Sequence, residues 1–201
     1  MNNTKRSLVI ASSNPGKLRE IQDILGAVPF SLLLPAQAGV ELDVEETGDT
    51  YAENAALKAQ AYADATGLMC LADDSGLEVD ALGGKPGLHS ARYAPWPNAN
   101  DADRRQVLLQ NLQGCAQPWN AAFRCVVAVA VPGQPMRLFE GHVDGVVIPE
   151  ERGSGGFGYD PIFFMPALGL TMAELPEAEK NRISHRARAL QAALPYLLEH
   201  S

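Results

Sequence analysis

The segment Ser154-Gly155-Gly156-Phe157-Gly158-Tyr159-Asp160-Pro161 joins a glycine-rich backbone, able to lie flat against a ligand, to two aromatic faces and a carboxylate. After a spacer, Lys180-Asn181-Arg182-Ile183-Ser184-His185-Arg186 adds a cation and two planar donors. Phe157 and Tyr159 suit stacking on a base, and Lys180 suits a phosphate. Each segment alone also reads as an ordinary surface loop or solvated helix face, with Ser184 capping a helix that turns His185 and Arg186 outward. Together they have the composition of a nucleotide site.

Two further clusters strengthen that reading. Ser12-Ser13-Asn14-Pro15-Gly16-Lys17 places hydroxyls, an amide, free backbone N–H groups and an ammonium at a helix start, where the dipole favours an anion. It is not a Walker A loop, because Ala11 stands where the first glycine belongs and Leu18 follows the lysine. The acidic cluster comprises Glu45 and Glu46 in a loop, Glu53 at a helix start, and Asp73-Asp74 at the end of an apolar run. Adjacent carboxylates repel, so such a pair either faces solvent in a turn at Asp74-Ser75-Gly76 or is neutralised by a cation. Mg²⁺ takes one or two carboxylates together with water and phosphate oxygens, which fits these residue types.

The elements that position these clusters follow from periodicity. Leu8-Val9-Ile10-Ala11 reads as a buried strand, and Leu18, Ile21, Ile24 and Leu25 recur at helical spacing behind it, with Ser13 or Asn14 as the cap and Pro15 in the first turn. Thr50-Tyr51-Ala52-Glu53 has the form of a capping box and opens a helix running to about Thr66, stopped by Gly67. Leu68 to Ala72 is predicted as a strand ending at Asp73-Asp74-Ser75-Gly76, with a second strand over Leu77 to Leu82. Pro95 to Asp103 reads as polar linker, with Asp103 capping a short helix through Leu112. Phe123 to Val131 and Met136 to Ile148 form a hairpin around Pro132-Gly133-Gln134-Pro135. Glu177 to Leu198 is helical, with a bend or break at Pro195. The expected class is α/β: a mixed sheet flanked by helices, its strand order open.

Composition bounds the function classes. A chain of 201 residues, 46% hydrophobic and 20% charged, can bury a core in one domain. A formal charge of −8 argues against a sequence-independent nucleic-acid binder. Cys70, Cys115 and Cys125 have no C-x-x-C spacing and read as reduced thiols. No stretch approaches the ~20 apolar residues that span a bilayer, and Leu8 to Ala11 is too short for a signal peptide, so a soluble cytoplasmic protein without a membrane partner is expected.

Six segments in one order carry a family resemblance: Ser12-x-Asn14-x-x-Lys17; Glu45-Glu46-Thr47-Gly48 with Glu53-Asn54-Ala55 and Lys58; Ala72-Asp73-Asp74-Ser75-Gly76-Leu77; Pro86-Gly87 with Ser90-Ala91-Arg92-Tyr93; Gly155 to Pro161; and Lys180 with Ser184-His185-Arg186. The chain closely resembles the inosine triphosphate pyrophosphatase family, in particular its bacterial dITP/XTP pyrophosphatases, from about Leu8 to Leu198. Serine opens the first motif where threonine is usual, Ser13 replaces a residue often glycine, and Pro95 to Gln117 carries no motif.

The resemblance implies a single domain over residues 1–201, an elongated α/β fold of two lobes around a central nucleotide cleft, a homodimer, and Mg²⁺-dependent hydrolysis of ITP, dITP and XTP to the monophosphate and pyrophosphate. It implies that Ser12, Ser13, Asn14, Pro15, Gly16 and Lys17 hold the triphosphate, that Glu45 and Asp74 bind Mg²⁺, and that Asp74 is the proton acceptor with Asp73 beside it. Ser75, Phe157, Gly158, Tyr159, Asp160, Lys180, His185 and Arg186 then contact substrate, the last two near the base. Glu46, Glu53, Lys58 and Arg92 are second-rank candidates. A pyrophosphatase for other modified nucleotides, or a nucleotide sensor without chemistry, would use many of the same residues.

Overall fold

The computed structural model describes residues 5–26 and 28–201. Strand β1 (Arg6–Ile10) leads into helix α1 (Pro15–Leu25), β2 (Phe30–Leu33), α2 (Tyr51–Thr66) and the long strand β3 (Met69–Val79). Helix α3 (Asp101–Leu112), strands β4 (Trp119–Ala130), β5 (Arg137–Val147), β6 (Phe163–Met165) and β7 (Leu170–Thr171), and helices α4 (Glu177–Ile183) and α5 (His185–Glu199) complete the chain. The seven strands form one sheet in the order β2-β1-β3-β4-β5-β6-β7. It is mixed: β1 runs parallel to β2 and β3, while β6 runs antiparallel to both β5 and β7. Among the described residues no helix is long and apolar enough to cross a membrane.

The chain divides into two compact units. The first runs to Asp74 and adds Cys125–Gly141 and Arg186–Ser201; the second comprises Ser75–Arg124 and His142–His185. In the first unit both sheet faces are covered, which explains the near-continuous apolar runs in β1, β3 and β4. Leu8 and Ile10, Met69 and Leu71, and Cys125, Val127 and Val129 pack on one face with Ile21 and Leu25 of α1 and Leu190, Ala193 and Leu197 of α5. Val9, Cys70, Ala72, Val126 and Ala128 point the other way, onto Ala55, Ala59 and Ala63 of α2. Side chains alternate along a strand, so odd and even positions of β3 reach different helices. The second unit packs Leu77 and Val79, Leu108 and Leu112 of α3, Phe123, Tyr159, Phe163 and Met172 into its own core.

Local signals explain most element starts. Asn14 Oδ1 caps α1, accepting from the N–H groups of Gly16 at 2.9 Å and Lys17 at 3.1 Å, with Pro15 in the first turn. Thr50 and Glu53 form the capping box of α2, and Gly67 closes it in the left-handed region at φ 66°.

The structure departs from the sequence reading in four places. Strand β3 does not stop at Asp73 but runs through Asp73-Asp74-Ser75-Gly76 to Val79, so the turn is replaced by extended backbone. The C-terminal helix breaks at Ser184, not at Pro195, around which α5 continues. The cap of α3 is Asn100, with Asp103 reaching back as its capping-box partner. Strands β2, β6 and β7, of four, three and two residues, are too short to register as a period. Cys70 and Cys125 are buried and Cys115 is half-buried, all as free thiols.

Candidate active site

In the first unit the alternation of β3 separates the two adjacent aspartates. Asp73 is in phase with Met69 and Leu71 and faces α1 and α5; Asp74 is in phase with Cys70 and Ala72 and faces α2.

On the α1 and α5 side, Asp73 is fully buried. Its Oδ2 lies 3.2 Å from Lys17 Nζ and accepts from Arg186 through Nη2 at 3.0 Å and Nε at 3.1 Å. The opposite edge of the Arg186 guanidinium donates to Glu20, itself buried on α1. Burial alone would raise the Asp73 pKa, but the charges of Lys17, Arg186 and Lys58 outweigh it and hold the carboxyl well below the usual range. Asp73 Oδ1 is buried with no hydrogen-bond partner among the described residues. The sequence reading turned Arg186 and His185 outward toward a base; both side chains are instead buried, Arg186 between two carboxylates. Glu20 drew no attention in the sequence because one acid on a helix has no signal of its own, although it shares a helical face with Lys17.

On the α2 side, Asp74 Oδ1 lies 3.6 Å from Lys58 Nζ, and Oδ2 accepts from Asn54 Nδ2 at 3.3 Å. Lys58 also donates to Glu46 at 2.6 Å. Asn54 turns its carbonyl oxygen to the N–H of Gly48 at 2.8 Å, which ties the 45–48 loop to the strand. A Cβ on Gly48 would sit 2.8 Å from that same oxygen, so glycine permits the approach. Burial raises the Asp74 pKa; Lys58 and Lys17 do not offset this, because Glu46 and Asp73 add negative charge. Lys58 is held in its charged form: burial disfavours the charge, but Asp74, Asp73 and Glu46 outweigh it.

Among the described residues the acids Glu20, Glu46, Asp73 and Asp74 lie against the cations Lys17, Lys58 and Arg186, and Asp74, 3.6 Å from a Lys58 that also binds Glu46, is the least closely paired and has a raised pKa. A hard cation with oxygen preference fits such a carboxylate. Glu45 is exposed and its side chain makes no ion pair or hydrogen bond among the described residues, whereas Glu46 is engaged by Lys58. No three His, Cys, Asp or Glu side chains among the described residues form a ready cage. Mg²⁺ does not require one, because it keeps water and takes phosphate oxygens. Glu53 spends its carboxylate on the N–H groups of Asp49 and Thr50, a capping role. The N–H groups of Gly16 and Lys17 are likewise taken by Asn14, so an anion at this loop meets the Lys17 ammonium, Ser12 and the exposed Ser13 first.

The second unit builds the glycine-rich loop from within. Asp160, buried, accepts from the Phe157 N–H at 2.8 Å and pairs with the buried Lys180. Lys180 Nζ lies 4.9 Å from the centre of the Phe157 ring, within cation–π range. Tyr159 donates its hydroxyl to the carbonyl of Ser90 at 2.9 Å, and Ser90 Oγ accepts from the Leu77 N–H at 2.9 Å. The Pro86–Tyr93 segment therefore connects β3 to the loop. Arg92, at its end, is exposed. His185 stacks on Phe123 with ring centres 4.7 Å apart and planes 10° from parallel, so its ring is fixed before any ligand arrives. Ser75 is half-buried on β3.

The Ham1 family model matches residues 8–196. A dITP/XTP pyrophosphatase of Geobacter sulfurreducens is 50% identical over 184 residues, covering 91% of this chain and 92% of that protein. The Bacillus subtilis dITP/XTP pyrophosphatase is 46% identical over 195 residues, covering 96% and 98%. Among solved structures, a HAM1 protein from Coxiella burnetii superposes with a TM-score of 0.86 at 41% identity, covering 98% of this chain and all of that one.

Proposed function

Because this chain belongs to the Ham1 family, we propose that it is a nucleoside triphosphate pyrophosphatase that hydrolyses deaminated purine nucleotides, ITP, dITP and XTP, to the monophosphate and pyrophosphate. The observation that carries the mechanism is the split of Asp73 and Asp74 onto opposite faces of β3, each with its own lysine.

Asp73 is the structural acid. Clamped by Arg186, it stays ionised and holds Lys17 by the phosphate-binding loop Ser12-Ser13-Asn14-Pro15-Gly16. Lys17 then offsets the charge that develops on the leaving pyrophosphate. Asp74 is the proton acceptor for the water that attacks the α-phosphorus, and Asn54 and Lys58 orient its carboxylate. A divalent ion, which we assign as Mg²⁺ held by Asp74 with Glu45 or Glu46, would supply charge neutralisation and alignment of the phosphate oxygens. In the second unit, Phe157 offers a face to the base and Lys180 with Asp160 sets the loop. His185, with its plane fixed by Phe123, and Ser75 complete the substrate contacts. Arg186 serves this scheme through Asp73. A site that hydrogen-bonds a 6-oxo group rejects the 6-amino group of adenine by ~10⁴ or more, because its donors are left unpaired.

A homodimer and a cytoplasmic location belong to the same proposal, on family likeness; light scattering tests the former. The deciding experiment is pyrophosphate release from ITP, XTP, dUTP, ATP and GTP with and without Mg²⁺. Release from ITP and XTP alone, dependent on metal, supports the assignment; release mainly from dUTP, or none, overturns it.

A further inference from the structure

Helix α3 lies in the stretch between Pro95 and Gln117 that carries no motif, yet it grips the glycine-rich loop at one residue, Gly158. Asp101 Oδ2 accepts from the Gly158 N–H at 2.7 Å, and Arg105 Nη1 donates to the Gly158 carbonyl at 2.8 Å. Both side chains are braced in turn. Arg104 donates to Asp101 Oδ1 at 2.5 Å and to the carbonyls of Ala91 and Ala99. Arg105 forms a bidentate pair with Glu151 at 2.8 and 2.9 Å. The bracing is electrostatically consistent: burial would raise the Asp101 pKa, but hydrogen bonds from Arg104 and the Gly158 amide lower it.

The grip falls on a residue that, among the described residues, hydrogen-bonds to α3 alone. Phe157 is tied through its N–H to Asp160, Tyr159 through its hydroxyl to Ser90, and Asp160 to Lys180. Gly158, in the left-handed region at φ 62°, lies between the two aromatic residues, and its backbone hydrogen bonds run only to α3 among the described residues. Glycine is the residue least restrained by its own sterics, so without α3 the Gly158–Tyr159 peptide loses its hydrogen bond and the Phe157–Gly158 peptide keeps only that from the Asp160 N–H to the Phe157 carbonyl, at 3.2 Å. The Phe157–Gly158 peptide is the one that carries Phe157, so α3 bears on the placement of its ring. The same bonds mean that the Gly158 N–H is committed to Asp101 and is not on offer to a base.

We propose that Asp101 and Arg105 are positioning residues for base recognition, which hold the loop so that Phe157 is oriented to receive the purine. This rests on the pyrophosphatase reading above. It assigns the clamp to substrate binding and leaves phosphorus chemistry, which belongs to Lys17, Asp73 and Asp74, untouched. A group that orients a base-binding face acts alike on ground and transition states, so its loss raises KM with kcat retained.

The test compares wild type with Asp101→Ala, Asp101→Asn, Arg105→Ala and Arg105→Lys, measuring pyrophosphate release from ITP and competition by inorganic tripolyphosphate, which has no base. Loss of a hydrogen bond to a charged group predicts that the two alanine variants raise the KM for ITP about tenfold or more. Their kcat should stay within about twofold and their tripolyphosphate inhibition constant should not change. Asp101→Asn keeps an oxygen acceptor for Gly158 and should restore most of the loss; Arg105→Lys, without the fork that spans Glu151 and Gly158, should not. Unchanged KM in both alanine variants, or a loss of tripolyphosphate affinity equal to that for ITP, overturns the proposal while the parent reading stands. A wild type silent toward ITP removes the parent reading itself. Should Asp101→Ala fail to fold, Arg105→Ala decides alone.

Discussion

Asp73 and Asp74, adjacent in sequence, reach different helices: the carboxylate of Asp73 lies against Lys17 and Arg186, that of Asp74 against Lys58 and Asn54. The strand that carries them converts a repulsive pair into two sites of opposite character. One acid is held ionised by the two cations against it, Lys17 and Arg186, while the other has Lys58 shared with Glu46. That difference separates a structural carboxylate from one able to accept a proton.

Replacing Asp74 with Asn removes the proton acceptor while keeping an oxygen for Asn54. Turnover of ITP should fall by about 10²–10⁴, the usual range for a general base, with circular dichroism unchanged. Activity within tenfold of wild type would exclude Asp74 from that role.

The same substitution makes a stability prediction of opposite sign. The folded pKa of Asp74 is raised, so its ionised form costs stability above that pKa, and the cost vanishes below the unfolded value of about 3.9. In EDTA, Asp74→Asn should melt higher than wild type at pH 7, by about 2–4 °C for each kcal/mol relieved, and the gap should close as pH falls toward 4. Added Mg²⁺ should raise the melting temperature of wild type but not of the variant. Equal melting at both pH values would contradict the raised pKa.

Arg186→Ala and Lys17→Ala should part company in thermal melts. Removing Arg186 takes the buried guanidinium that Glu20 and Asp73 share, at a cost of about 3–5 kcal/mol and a melting temperature lower by ~10 °C. Lys17 is partly exposed and leaves Asp73 still paired, so its loss should cost little stability and about 10²–10³ in turnover. Similar melting losses in both variants would refute the division of labour.

Gly156→Ala probes the loop from the other side. A Cβ there would lie 2.1 Å from Asp160 Oδ2 and 2.9 Å from Lys180 Nζ, at a backbone φ of 70° that favours glycine. Strain of about 1–3 kcal/mol and displacement of the Asp160–Lys180 pair should lower the melting temperature and raise the KM for ITP. A wild-type KM would separate this pair from substrate binding.

Much of the architecture is legible in local sequence, since a cap, a period of 3.6 or an apolar run acts within a few neighbouring residues. Asn14 with Pro15, the Thr50–Glu53 box and the β4–β5 hairpin are of this kind, and they place Lys17, Lys58 and the loop motifs on their elements. The motifs together also identified the family. What the tertiary structure alone decided concerns partners distant in the chain. Asp73 pairs with Arg186 across 113 residues, and Asp101 reaches Gly158 across 57. At Asp73-Asp74-Ser75-Gly76 turn propensity and strand pairing disagree, and pairing prevails because Asp73 and Asp74 find cations on both faces. No window of sequence contains those cations together. Their approach depends on packing α1, α2 and α5 against one sheet, and the charges gathered on each face then lower the pKa of Asp73 while that of Asp74 is raised.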